Sequence, residues 1–119
     1  MRAATLLTAM AVLMAQPAMS DIVRRNSIPE PLWGKWVPDT DDCSGKMGLV
    51  IAANKYVDAG NECTIRAISE TAGRTGAFYS TRAQCPASAK TLIIMPKDAG
   101  HITAGSDFSN LKTLQKCEK

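Results

Sequence analysis

From Leu32 onward, apolar and polar positions alternate in short runs that are cut by Gly, Asn, Asp and Pro. Such runs, rich in Val, Ile, Thr and aromatic residues, have the two-residue period of half-buried strands. They predict strands at Leu32–Val37, Leu49–Ala53, Tyr56–Ala59, Cys63–Ser69, Ala77–Gln84, Thr91–Met95, His101–Ala104 and Leu111–Cys117. No window keeps the i, i+3, i+4, i+7 spacing of an amphipathic helix for three turns. Strands at intervals of about ten residues indicate an all-β chain, a small antiparallel up-and-down barrel or sandwich of about eight short strands. A meander closed into a barrel is the favoured form, because closure removes the exposed edges.

The clearest hairpin runs from Cys63 to Cys85. Gly73 and Gly76 flank its turn and are free to take the positive φ that a tight turn requires. A turn centred on Arg74 sets Cys63 opposite Cys85, Ile65 opposite Ala83 and Ala67 opposite Thr81. Arg66 and Arg82 then point the other way. A Cys63–Cys85 disulfide with Cys43–Cys117 follows as the first choice. A second hairpin centred on Ala53 would instead set Cys43 opposite Cys63 and leave Cys85 for Cys117, so the pairing stays open at this level.

The first twenty residues have a different character. Arg2 precedes an apolar stretch carried by Leu6, Leu7, Met10, Val12, Leu13 and Met14; Pro17 and Ala18-Met19-Ser20 follow. A basic start, an apolar run of about a dozen residues and small residues at its end read as a secretory signal over 1–20. The run is well short of the roughly 20 residues a membrane-spanning helix needs, so no membrane insertion is expected once the signal is removed. No Cys lies near the cleavage point for a lipid anchor. Residues 21–31, polar with Arg24-Arg25 and two prolines, read as a flexible lead-in to a single β domain over 32–119.

Export changes the reading of the four cysteines. All lie beyond the signal, their number is even and no two have the C-x-x-C spacing of a zinc site, so two disulfides in the periplasm or medium are expected and no metal. Of the 119 residues 21% are charged, and the net charge of +3 comes from scattered Lys and Arg, which gives no nucleic-acid footprint.

Catalytic constellations are scarce. His101 is the sole histidine and follows Gly100 as a solvated strand-start residue. There is no G-x-S-x-G elbow, no free thiol once both bridges form and no phosphate-cradling glycine motif. The carboxylates cluster at Asp39-Thr40-Asp41-Asp42, a solvated acidic turn that lacks the closing Glu of a calcium loop. No enzyme, cofactor or metal is expected, and the domain is expected to be a monomer.

Two local motifs add direction. Leu32-Trp33-Gly34-Lys35-Trp36-Val37 resembles the L-x-G-x-W opening of lipocalin-like barrels, in which a Trp plugs the barrel end. Together with Tyr56–Cys63 it also resembles small periplasmic metalloprotease inhibitors, whose family lacks counterparts of Cys85 and Cys117. That resemblance gives Trp33, Gly34 and Trp36 structural roles and places 21–31 where those inhibitors enter the protease cleft. Thr75-Gly76-Ala77-Phe78-Tyr79 is similar to the S-G-x-x-Y loop of bacterial lysozyme inhibitors, with Thr in place of Ser. It makes Arg74, Thr75, Gly76, Phe78 and Tyr79 candidate binding residues. The resemblances imply an exported cell-envelope binding module, an inhibitor whose partner is a secreted protease or lysozyme. The alternatives are a carrier of a small apolar ligand, for which the barrel must hold a sizeable cavity, and a structural envelope protein.

Overall fold

The computed structural model describes residues 22–38, 43–45, 48–73 and 76–117. Residues 1–20, read from the sequence as a signal, 39–42, read as an acidic turn, and the candidate binding residues Arg74 and Thr75 lie outside them. Nine strands form one sheet: β1 (Ile22–Arg25), β2 (Gly34–Val37), β3 (Leu49–Ile51), β4 (Lys55–Asp58), β5 (Asn61–Gly73), β6 (Gly76–Gln84), β7 (Ala89–Asp98), β8 (His101–Gly105) and β9 (Lys112–Lys116). Strands β2 to β9 pair in sequence order, each antiparallel to the next, and β9 returns to β2 through Trp36 opposite Lys116. The result is a closed eight-stranded up-and-down barrel with β1 added to it. Each of the eight strands expected from the alternation is present.

Inward positions follow the two-residue period. Trp36, Leu49, Ile51, Tyr56, Cys63, Ile65, Ile68, Tyr79, Ala83, Leu92, Ile94, Ile102, Ala104 and Leu114 are buried in one cluster. Thr81 is the buried polar side chain among them, and its hydroxyl donates to the Leu92 carbonyl oxygen at 3.1 Å, so the core holds no unsatisfied hydroxyl there.

The hairpin departs from simple alternation at one place. Thr64 faces Gln84 and Ile65 faces Ala83, as the turn symmetry requires. A bulge between Ile65 and Ala67 then shifts the register by one, so Ala67 faces Arg82, and Thr81, its expected partner, faces Ile68. Beyond the bulge the pairs run to Gly73 opposite Gly76, one residue off the register that a centre at Arg74 requires. The extra residue also reverses the facing of everything beyond it. Ile68 and Glu70, not Ala67, continue the inner face begun by Cys63 and Ile65.

The bulge lies where the neighbour of β5 changes. Along one edge, β5 pairs first with β4 over Asn61–Thr64 and then with β1 over Ile68–Thr71. Residues 21–31, expected as a flexible lead-in, are therefore engaged from Ile22 onward. After β1 the chain crosses the barrel end. The Ile28 amide donates to the Ala53 carbonyl at 2.8 Å, and the Ile28 side chain is fully buried. A single 3₁₀ turn over Glu30–Leu32, with Pro31 in its first turn, drops Leu32 onto the core.

Trp36 completes this closed end. It is 1% exposed, its indole N–H donates to the Leu32 carbonyl at 2.9 Å, and the Lys116 ammonium sits 5.5 Å from its ring centroid. Trp33 stays at the surface and donates its indole N–H to the Ile28 carbonyl at 2.8 Å. Gly34, at φ 124°, separates the two rings.

Both disulfides of the first-choice pairing are formed. Cys63–Cys85 joins β5 to the residue after β6. Cys43–Cys117 joins the long β2–β3 connection to the residue after β9. That connection folds back along the outside of the barrel, where the Lys35 ammonium donates to the carbonyls of Cys43 and Gly45. Val37 points outward from β2 yet is fully buried, because Gly48 presses against it: a Cβ at Gly48 would stand 2.8 Å from Val37 and 2.9 Å from the Trp36 carbonyl. At φ 110° and with that crowding, this position admits glycine alone.

Candidate functional site

The two ends of the barrel differ. One end is filled by Ile28, Leu32 and Trp36. At the other, the strands open into a cavity of about 740 Å³. Leu49, Tyr56, Leu92, Ala104 and Leu114 form its walls, each an inward residue near the end of its strand. Pro38, Gly48, Ser106 and Asn110 from the connecting loops form part of its lip.

Three charged side chains also line the cavity: Asp58 on β4, Lys90 on β7 and Lys112 on β9. Each occupies an inward register position. Asp58 pairs with buried Leu49, Lys90 with buried Ala83 and Lys112 with buried Ala104. Each is exposed, being the last inward residue before its strand leaves the barrel. Among the described residues none of the three makes an ion pair with another protein group.

Tyr56 lies one inward step below Asp58 and is 3% exposed. Burial raises its phenol above the usual tyrosine range, and the Asp58 carboxylate adds to the rise. At neutral pH it is a neutral hydrogen-bonding group at the boundary between rim and apolar wall.

The hairpin singled out by sequence is arranged differently from a displayed loop. Tyr79 points into the barrel and is 8% exposed. Its phenol is raised by burial and then by the nearby Glu70 carboxylate, against an opposing effect of Arg25. Phe78 lies on the outer face and packs edge-to-face against Phe108, with centroids 5.2 Å apart. Gly76 is exposed at the hairpin base with φ 129°; Arg74 and Thr75 lie outside the described residues. The hairpin nonetheless projects, since β7 pairs with β6 only from Tyr79 onward.

His101 opens β8, with Nδ1 3.0 Å from the Asp98 carboxylate. That hydrogen bond is the main cause holding the Asp98 carboxyl below the ordinary range, followed by the Gly100 amide. The pair lies at the β7–β8 turn, beside the closed end. Among the described residues no group of three His, Cys, Asp or Glu side chains is placed to hold a metal ion. No helix among them is long and apolar enough to cross a membrane.

The cavity rim was the feature missed in the sequence. Its signal was present as Lys90, Lys112 and Asp58 standing in phase with inward apolar residues, but the phase is visible only once strand ends are known. The two disulfides fit an oxidising compartment. No protein-family model, curated protein or solved structure matches this chain.

Proposed function

We propose that this chain is an exported, non-catalytic binding protein of the cell envelope that takes one small ligand into the open end of its barrel. The observation that carries the reading is the cavity of about 740 Å³ walled by Leu49, Tyr56, Leu92 and Leu114. Its size falls within the roughly 300–1,000 Å³ of small-molecule sites, and an eight-stranded barrel has room for one such ligand. Closure, a plugged far end and two disulfides hold the walls in place before a ligand arrives, which lowers the ordering cost of binding.

The test is a titration of the oxidised 21–119 protein with the neutral apolar fluorophore N-phenylnaphthylamine. Saturable one-to-one enhancement is expected, and Leu114→Trp, which fills the cavity, should remove it while the far-ultraviolet spectrum stays unchanged. Absence of enhancement at high micromolar protein would sink the reading.

A second reading, inhibition of a secreted protease or lysozyme, draws on the projecting β5–β6 hairpin. It predicts stoichiometric slowing of one of those enzymes and loss of the effect on replacing Arg74 and Thr75. The lead-in gives this reading less support, since Ile22–Arg25 is paired along β5.

A further inference from the structure

An apolar cavity alone does not specify a ligand, but the placement of charge at its mouth does. Of the inward positions nearest the open end, three carry ionisable groups, where the period of each strand calls for an apolar side chain. Two are lysines and one is an aspartate, so positive charge is in excess among the described residues that line the cavity. Lys90 and Lys112 stand on β7 and β9, with β8 between them, and Ala104 of β8 supplies the small wall residue that separates them. Neither ammonium has an ion-pair partner among the described residues. Asp58 stands apart from them on β4.

Resting on the binding-protein reading above, we infer that the ligand is a single-chain amphiphile with an anionic head group, its chain in the barrel and its head between Lys90 and Lys112. The Leu49, Leu92 and Leu114 walls take up the chain by apolar burial. The head stays at the water boundary, where two ammonium groups attract it without the cost of burying a charge. Tyr56 and Asn110 border the same space and supply neutral hydrogen-bonding groups to the head. The Asp58 carboxylate repels an anion but favours an orientation that places the head on the β7–β9 side. A cationic amphiphile meets the reverse arrangement.

The experiment is displacement of N-phenylnaphthylamine from the oxidised protein by dodecanoate, dodecyl phosphate, dodecanol and dodecylammonium, all below their micelle concentrations. Dodecanoate or dodecyl phosphate is expected to displace the fluorophore about tenfold more effectively than dodecanol, with dodecylammonium weakest. In Lys90→Gln/Lys112→Gln the anionic and neutral compounds should become equal, while an unchanged far-ultraviolet spectrum and two intact disulfides report the folded barrel. The two anions separate a carboxylate from a phosphate head, and inorganic phosphate alone should displace nothing. Equal displacement by dodecanoate and dodecanol in the unaltered protein overturns the anionic inference and leaves the cavity reading standing. Failure of the fluorophore itself to bind removes the cavity reading, and this inference with it.

Discussion

Arg25 on β1 and Glu70 on β5 lie on the same inner face, with the guanidinium Nε 2.6 Å from the carboxylate Oε1 and a second guanidinium nitrogen on the same oxygen. Glu70 also faces Tyr79 across the β5–β6 ladder, so three strands meet beside one carboxylate. The Arg25 side chain is 47% exposed, which limits the ion pair to about 0.5–1 kcal/mol. Arg25→Ala is therefore expected to lower global stability by no more than that, yet to speed amide exchange across Ile22–Arg25. Unchanged exchange there would show that the backbone ladder alone holds β1.

The bulge makes a sharper prediction. Arg66 is the residue in excess over the β6 partners, so deleting it restores plain alternation from Cys63 through Ile68 without moving any inward side chain. Deleting Thr64 removes a paired residue and turns Cys63 away from Cys85. The first variant should fold and oxidise fully, losing about 1–2 kcal/mol with the strand's bend. The second should leave free thiols, countable by alkylation and mass measurement.

The two bridges close loops of different length, with sequence separations of 74 and 22. On the chain-entropy relation they contribute about 4.4 and about 3.4 kcal/mol. Replacing Cys43 and Cys117 by Ser should thus cost about 1 kcal/mol more in urea unfolding than replacing Cys63 and Cys85 by Ala. The reverse order would mean that packing around buried Cys63 outweighs loop closure.

Gly105 ends β8 where the chain returns sharply. A Cβ there would stand 2.4 Å from the Asn110 carbonyl oxygen, a backbone atom that has no easy way to yield. Gly105→Ala should cost roughly 1–3 kcal/mol and displace the 106–110 loop. Loss of the Phe78–Phe108 ring contact would then appear in the near-ultraviolet circular dichroism. A spectrum identical to that of the parent protein would contradict this.

Tyr56 and Tyr79 both have phenols raised above 10.0, in each case chiefly by burial. The folded chain then holds these protons more tightly than the unfolded chain does. Their contribution to stability is complete below pH of about 10 and is lost as pH rises through the folded values. Thermal midpoints should fall on the alkaline side, and Tyr56→Phe should flatten that fall. A midpoint that drops equally in the variant would assign the effect to Tyr79 or to other groups.

Much of the barrel was legible in the sequence because inward residues and turn residues agree. Leu49 and Ile51, Leu92 and Ile94, and Ile102 and Ala104 each alternate with surface positions between Gly, Asn or Pro breaks, and Gly73 and Gly76 bracket the turn that sets Cys63 against Cys85. What escaped depends on distant partners. Ile22–Arg25 is four exposed residues whose strand state comes from β5, more than forty residues away. The bulge at Arg66 has no Gly or Pro to mark it. For the candidate site, the hairpin residues were found by local pattern, but Tyr79 is an inward residue, in phase with Thr81 and Ala83 along β6. The cavity rim is assembled from β4, β7 and β9, and no single stretch of sequence contains it.

Among the described residues β1 pairs with β5 alone, so the barrel leaves its other side open. Ile22 is 70% exposed and Val23 51%, and in a longer ribbon these would invite another chain to hydrogen-bond alongside. The segment is short, and its two arginines add positive charge along that edge, which a second copy of the strand laid alongside would meet with its own. That charge opposes edge-to-edge association of the protein at high concentration.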